Sequence, residues 1–322
     1  MSRRTKWMVA AVLLLVIGAA VCAAAYAASG FSFGKFSTVA YVTNTYEVSG
    51  RFENIRVLAS TEEITLVPSD DGTCKVVCRE EENDPHSVTV RGGTLTIEKT
   101  KKSGGWSLHV GVVTESPAIT VFLPGETYGA LTVDSDTGDV SIPADFSFDS
   151  IRVSLNTGRV QCFASTKGEV VITTDTGDIA VSGLSAAVMR LDTDTGRIKV
   201  SDAAVEGDLE IRVSTGRATL ENVRCGNLSS EGNSGSLVMT KVVASGTFEL
   251  RRDTGDIRLD GCDAERISIR TDTGDVSGTL LSDKIFLAKS DTGKVRTPGT
   301  TEGGSCEITT DTGDITITIA AG

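Results

Sequence analysis

Arg266-Ile267-Ser268-Ile269-Arg270-Thr271-Asp272-Thr273-Gly274-Asp275-Val276 reads as one strand burying alternate aliphatics, then a glycine corner, then the start of a second strand. The same pattern recurs along the chain. Its glycines are Gly138, Gly158, Gly177, Gly196, Gly216, Gly235, Gly255, Gly274, Gly293 and Gly313, with every step 19 or 20 residues. Self-similarity at such a period is the mark of a stacked repeat array.

Aligned on the corner, the position four residues after the Asp is apolar throughout: Val140, Val160, Ile179, Ile198, Ala218, Leu237, Ile257, Val276, Val295 and Ile315. Before the corner, pairs such as Val170 and Ile172, Leu209 and Ile211, or Ile267 and Ile269 are spaced by two. That spacing excludes helical repeats and predicts an all-β parallel β-solenoid of 19 to 20 residues per coil, with right-handed coiling as the expected sense. A variable stretch in each coil is expected to add a third inward residue, such as Leu184, Val242 or Leu281. Coils stacked about 4.8 Å apart would form a rod roughly 45 Å long.

The corner chemistry fits. Glycine adopts backbone conformations closed to other residues, and Asp two positions earlier, or its substitutes Asn156, Ser214 and Asn233, is expected to close an Asx-type turn. Asp-Thr-Gly also occurs in aspartic proteases, but that chemistry needs two copies facing across a cleft to share a proton. Here seven copies lie on one stacked row, at Asp136, Asp175, Asp194, Asp253, Asp272, Asp291 and Asp311. Stacked acidic corners also suggest a calcium site, for which the strongest candidates are Asp253, Asp256, Asp272 and Asp275. Against it, Arg251, Arg270 and Lys289 form a basic row alongside, and the residues after the glycines alternate in sign through Asp139, Arg159, Asp178 and Arg197.

Ser2-Arg3-Arg4-Thr5-Lys6 precedes an uncharged stretch from Trp7 to Ser29, long enough to cross about 30 Å of hydrocarbon. The basic flank places the N-terminus in the cytoplasm and the bulk of the chain outside as a single-pass cell-membrane protein. The competing reading is a signal peptide cut after Ala25-Tyr26-Ala27. The expected organisation is 1–29 basic residues and transmembrane helix, 30–45 linker, 46–134 irregular β cap, and 135–322 regular solenoid. Within the cap, the loop carrying Lys101, Lys102, Trp106 and His109 departs most from the pattern and is a candidate contact site. After the strand Ile315 to Ile319 little material remains to cap the far end, so end-to-end or partner pairing is expected there.

Of seven cysteines, Cys22 lies in the apolar segment and Cys74 and Cys78 lie four apart in one strand; Cys162, Cys225, Cys262 and Cys306 fall at differing phases of the repeat and read as small buried hydrophobes, and two histidines offer few zinc ligands. The net charge of -12 argues against nucleic acid and anionic headgroups as partners, and 5% aromatics leave few stacking platforms for sugars. No cofactor is expected.

Phe52-x-x-Ile55-x-Val57, the run Ile64 to Asp71, Thr94-Leu95-Thr96-Ile97, Ile119 to Pro124 and repeated Thr-Gly-Asp-Ile corners follow the membrane segment in that order. From Tyr46 onward the chain thereby resembles the DUF4097 ("putative adhesin") family of bacterial envelope proteins. The resemblance implies a β-solenoid at the cell surface, sometimes tied to envelope stress, and brings no catalytic residues. Together these readings point to a noncatalytic adhesion, display or scaffold module that binds an envelope polymer or protein. The alternative is a β-helix enzyme acting on extracellular polysaccharide, for which Arg212, Arg251, Arg270 and Lys289 are the nearest approach to a basic groove.

Overall fold

The computed structural model describes residues 3–28, 40–100 and 116–320. Apart from one helix, α1 (Arg3–Ala28), they form strands wound into a parallel β-solenoid of about 10 turns. Successive coils pair in register, with Met189 on Leu209, Leu191 on Ile211, Gly196 on Gly216 and Ile198 on Ala218. In-register pairing at a side-chain period of two stacks the inward aliphatics into continuous rows. Val140, Val160, Ile179, Ile198, Leu237 and Ile257 are each at most 2% exposed. Of the variable-segment residues, Leu184 and Val242 are buried, whereas Leu281 is half exposed and Leu280 takes the inward place. A register shift opposite Asp260 and Cys262 moves the inward position by one residue.

The corner glycines have φ between +124° and +157°. A Cβ on Gly235 would lie 1.7 Å from the carbonyl oxygen of Gly216, and one on Gly158 would lie 2.1 Å from that of Gly138. Each of these glycines thus presses its bare face on the glycine of the preceding coil. Its N–H bonds a threonine carbonyl of the next, as from Gly177 to Thr195 (2.9 Å). Inward hydroxyls reinforce the stack: Thr193 donates to the Gly177 carbonyl (3.1 Å) and Ser290 to that of Gly313 (2.8 Å).

The triplet's Asp is not the residue that ties the corner. The carboxylate one position after the glycine accepts the backbone N–H of the equivalent residue in a neighbouring coil: Asp139 from Arg159 (2.8 Å), Asp178 from Arg197 (2.9 Å) and Asp256 from Asp275 (3.0 Å). The triplet's Asp instead lies beside the basic row, as in Lys289–Asp291 at 2.7 Å, or accepts from the side chain at the same place in the next coil, as Asp136 does from Asn156 (3.1 Å) and Asp194 from Ser214 (3.3 Å).

Coil order departs from chain order at both ends. At the N-terminal side the strands are β1 (Tyr41–Glu47), β2 (Asn54–Ala59), β3 (Glu63–Pro68), β4 (Lys75–Glu81), β5 (His86–Arg91), β6 (Thr94–Lys99) and β7 (Ala118–Leu123). The coil built from β2 and β3 lies between that of β6 and β7 and that of Thr127–Thr137 and Val140–Ile142. Antiparallel strands then cover the outer coil, β5 on β6 and β4 on β7, with β1 on β4.

At the far side follow β8 (Arg266–Thr273), β9 (Val276–Leu280), β10 (Lys284–Thr292), β11 (Val295–Arg296), β12 (Gly304–Thr312) and β13 (Ile315–Ile319). The coil of β12 and β13 slots between that of β8 and β9 and that of β10 and β11. The outermost coil is therefore β10 and β11, not the strand Ile315–Ile319 that sequence order would place there. Val295, on the inward row, is consequently 42% exposed.

Cys74, Cys78, Cys162, Cys225, Cys262 and Cys306 are buried free thiols. Burial pushes the Cys162, Cys225 and Cys306 thiols up to about 12, so they are protonated and unreactive in the folded protein.

The corner geometry predicts a sharp difference between two glycine substitutions in the full chain. Gly235→Ala should lower stability by about 3 kcal/mol or more, since strain adds to backbone overlap. Gly183, at φ +67° with nothing within 4 Å of where a methyl would sit, should lose about 1 kcal/mol as Ala. Urea unfolding in detergent measures both, and equal losses would contradict the stacked-glycine account.

Candidate functional site

Three places on the solenoid carry chemistry beyond the core, and the corner row is the most repetitive. Asp253 faces Arg251 and Asp272 faces Arg270, each at 3.8 Å. Asp256 and Asp275 are tied to the backbone N–H groups of Asp275 and Asp314 (3.0 and 2.8 Å). The four carboxylates named as calcium candidates are thus engaged separately by cations and amides. Arg197 and Asp178 form a two-pronged pair at 2.7 and 3.4 Å, which holds the Asp178 carboxyl below its ordinary range. No two triplet carboxylates face each other across a cleft among the described residues, so the corners do not form a proton-sharing dyad. Lys101, Lys102, Trp106 and His109 lie outside the described residues.

The second place is a buried polar cluster at the N-terminal end, which sequence reasoning missed. A Cβ on Gly138 would meet the carbonyl oxygen of Glu62, so Glu62 stands where later coils have glycine. Its carboxylate is 1% exposed, accepts the N–H groups of Ser60 and Thr61 (2.7 and 2.8 Å) and pairs with Lys99 (2.9 Å). Alternation on β4 turns Cys78 and Glu80 inward, and His86 opens β5 beside them. Glu80 Oε1 accepts from Tyr46 Oη and Asn44 Nδ2, both at 2.6 Å. Glu80 Oε2 accepts the His86 N–H at 2.6 Å and lies 2.5 Å from His86 Nδ1. His86 Nε2 has no hydrogen-bond partner and faces Glu62 Oε1 at 3.7 Å.

Burial pushes the Glu80 carboxyl up, but its donors from Tyr46, Asn44 and His86 outweigh that and hold it below the ordinary carboxylate range. Burial likewise raises Glu62, and the Ser60 amide and Lys99 ammonium reverse the direction. Cys78, Glu80 and His86 are the one group of potential metal-ligating side chains that the described residues bring together. Four donors already occupy the Glu80 oxygens, which leaves His86 Nε2 as the one unpaired polar atom of the cluster. No sequence motif announces it, because Glu62, Glu80, His86 and Lys99 meet through strand pairing and not through spacing.

The third place is a shallow groove of about 430 Å³ on the outward face of the far end, where Arg266, Ser268, Ser305 and Glu307 adjoin Ile285 and Leu287. Its polar side chains sit on adjacent strands, with Ser268 in register between Glu249 and Glu307.

A sequence profile described as Toastrack DUF4097 matches residues 52–212 and 204–321. No curated protein matches the sequence. Among solved structures, the chain is similar to a "putative adhesin" from Parabacteroides distasonis, with 11% identity, 88% of this chain and 98% of that chain covered, and a TM-score of 0.46. A "putative adhesin" from Bacteroides fragilis aligns at 13% identity over 87% and 97% of the two chains, with a TM-score of 0.40. A "putative lipid binding protein" from P. distasonis aligns at 15% identity over 73% and 94%, with a TM-score of 0.34.

The cluster sets an acid limit to stability. Because the folded-state affinities of Glu62 and Glu80 for protons are lowered, their contribution is complete above the ordinary value of 4.5 and disappears as pH falls through the folded values. Glu80→Gln should cost about 3 kcal/mol at neutral pH and flatten the loss seen in urea midpoints between about pH 5 and 3. An unchanged acid slope would show that Glu80 does not carry it.

Proposed function

The chain belongs to the Toastrack DUF4097 family, and from that premise we propose that it is a membrane-anchored, noncatalytic surface module, displaying its solenoid outside the cell to bind an envelope polymer or protein. The observation that carries the reading is the segment Trp7–Ala28, 22 residues of mean hydropathy 2.7 with none of the window buried against the protein. At 1.5 Å per residue it spans about 33 Å, matching the hydrocarbon thickness, and among the described residues nothing covers its apolar surface. Arg3, Arg4 and Lys6 at its start favour a cytoplasmic N-terminus.

The noncatalytic part rests on the chemistry of the faces. The repeated carboxylates are committed to corner amides and neighbouring cations, and the polar cluster is closed to solvent. The outward groove combines aliphatics with charges spaced along strands, a surface suited to contact. Adhesion, and any tie to envelope stress, are extensions of this reading that rest on the family resemblance.

Three measurements test it together. Full-length protein should stay in the membrane fraction with residues 1–29 intact by mass, and external protease should remove the solenoid from intact cells. A mature chain starting at Ala28, or a protease-shielded solenoid, would overturn the anchor or its orientation. Incubation with anionic glycans should release no reducing or unsaturated sugar ends; sustained turnover would replace this reading with the polysaccharide-enzyme alternative.

A further inference from the structure

The outermost coil changes the character of the outward face. At the level of Ile285, successive coils carry Thr247, Arg266 and Ser305, and at the level of Leu287 they carry Glu249, Ser268 and Glu307. On β10 these polar rows end in two aliphatics that are 52% and 68% exposed. β10 pairs along one edge only, with β12, and no described strand lies on the other. The segment from β11 to β12 touches that edge at Lys284, whose carbonyl accepts from Thr300 Oγ1. Lys284 itself is buried, with Nζ 2.7 Å from Asp263, which pins the start of the strand. The result is a nine-residue strand with a free edge and apolar outward side chains, a combination that solitary proteins avoid.

We propose that this edge docks a second copy of the same chain, with the two β10 strands antiparallel about a two-fold axis at Phe286. The strand is complementary to itself. Asp283, Ile285, Leu287 and Lys289 share the outward side, with all four exposed, while Phe286 and Ala288 face inward and are half-buried. Reversing the strand about Phe286 sets Ile285 against Leu287 of the second copy and Asp283 against its Lys289, on both sides of the axis. Opposite charges then flank an apolar centre, and Phe286 meets its own copy at the end of the core. The two nearest registers that keep inward facing inward lack this match. Centring on Leu287 opposes Asp283 to Asp291, and centring on Ile285 opposes Asp283 to Leu287 and Lys289 to Leu281. A two-fold interface uses the same patch twice, so it closes and does not propagate into fibres. The docked copy would also cover Val295, which the coil order leaves open.

The full chain in detergent should run as a dimer by light scattering, and Leu287→Arg, a change at an exposed side chain, should give a monomer with an unchanged urea midpoint. Asp283→Lys and Lys289→Asp should each weaken association about tenfold or more, since each replaces two attractive pairs by two repulsive ones. The double variant should return to within about threefold of the wild type, a rescue that helix-driven or nonspecific dimers cannot produce. A dimer indifferent to Leu287→Arg, single reversals left unrescued in the double variant, or a monomeric wild type, including one whose edge captures a different polypeptide, would each overturn the proposal.

Discussion

Each corner from Gly158 to Gly313 depends on one contact, the bare Cα of a glycine lying against the carbonyl oxygen of the glycine in a neighbouring coil. The overlap that any Cβ would create there, at 1.7 to 2.3 Å from that oxygen through the corners from Gly158 to Gly313, leaves no room for another residue. Because the corners stack this closely, the strands on either side stay in register and the inward aliphatics meet their own kind. The hydroxyls of Thr193, Thr271 and Thr310 then find corner carbonyls within reach and bury without an unsatisfied group. Core, corner and register are thus consequences of one steric fact.

The same constraint separates what could be read from the sequence from what could not. A period of 19 or 20 residues with two-residue alternation was enough to specify the strands, the inward rows and the glycine corners. It was silent on spatial order, because a coil fits equally well on either neighbour; the slotting of β12 and β13 inside β10 and β11 leaves no trace in the period. Leu281 was misplaced by one residue for a similar reason, since the register shift near Cys262 arises between coils. The Asp of each triplet drew the eye by repetition, yet the tie is made by the residue after the glycine, where Asp139, Asp178 and Asp256 reach across to a neighbouring backbone. Repetition marks a shared environment and does not say which atom bonds.

The polar cluster shows the opposite limit. Glu62, Glu80, His86 and Lys99 lie on four separate segments joined by mixed parallel and antiparallel pairing, so no spacing rule links them. Glu62 occupies the glycine place of its coil with its side chain turned inward, and the antiparallel strands β4 and β5 supply the partners that make such a charge tolerable. The two ends of the solenoid therefore differ in kind: one is closed over a buried, charged cluster, and the other presents an open strand and the end of its core.

The stacked glycines also make length a quantity that can be changed in whole steps. A coil in the middle of the array touches only the one before and the one after, and all corners present the same face, so a gain or loss of one 19- or 20-residue unit between Val160 and Glu249 joins like to like. Each step would alter the reach of the molecule by about 4.8 Å. The last three coils are exempt. Because the coil of β12 and β13 is held between two others that precede it in the chain, the terminal face is made by β10 and β11, and duplication upstream changes reach while leaving that face as it is.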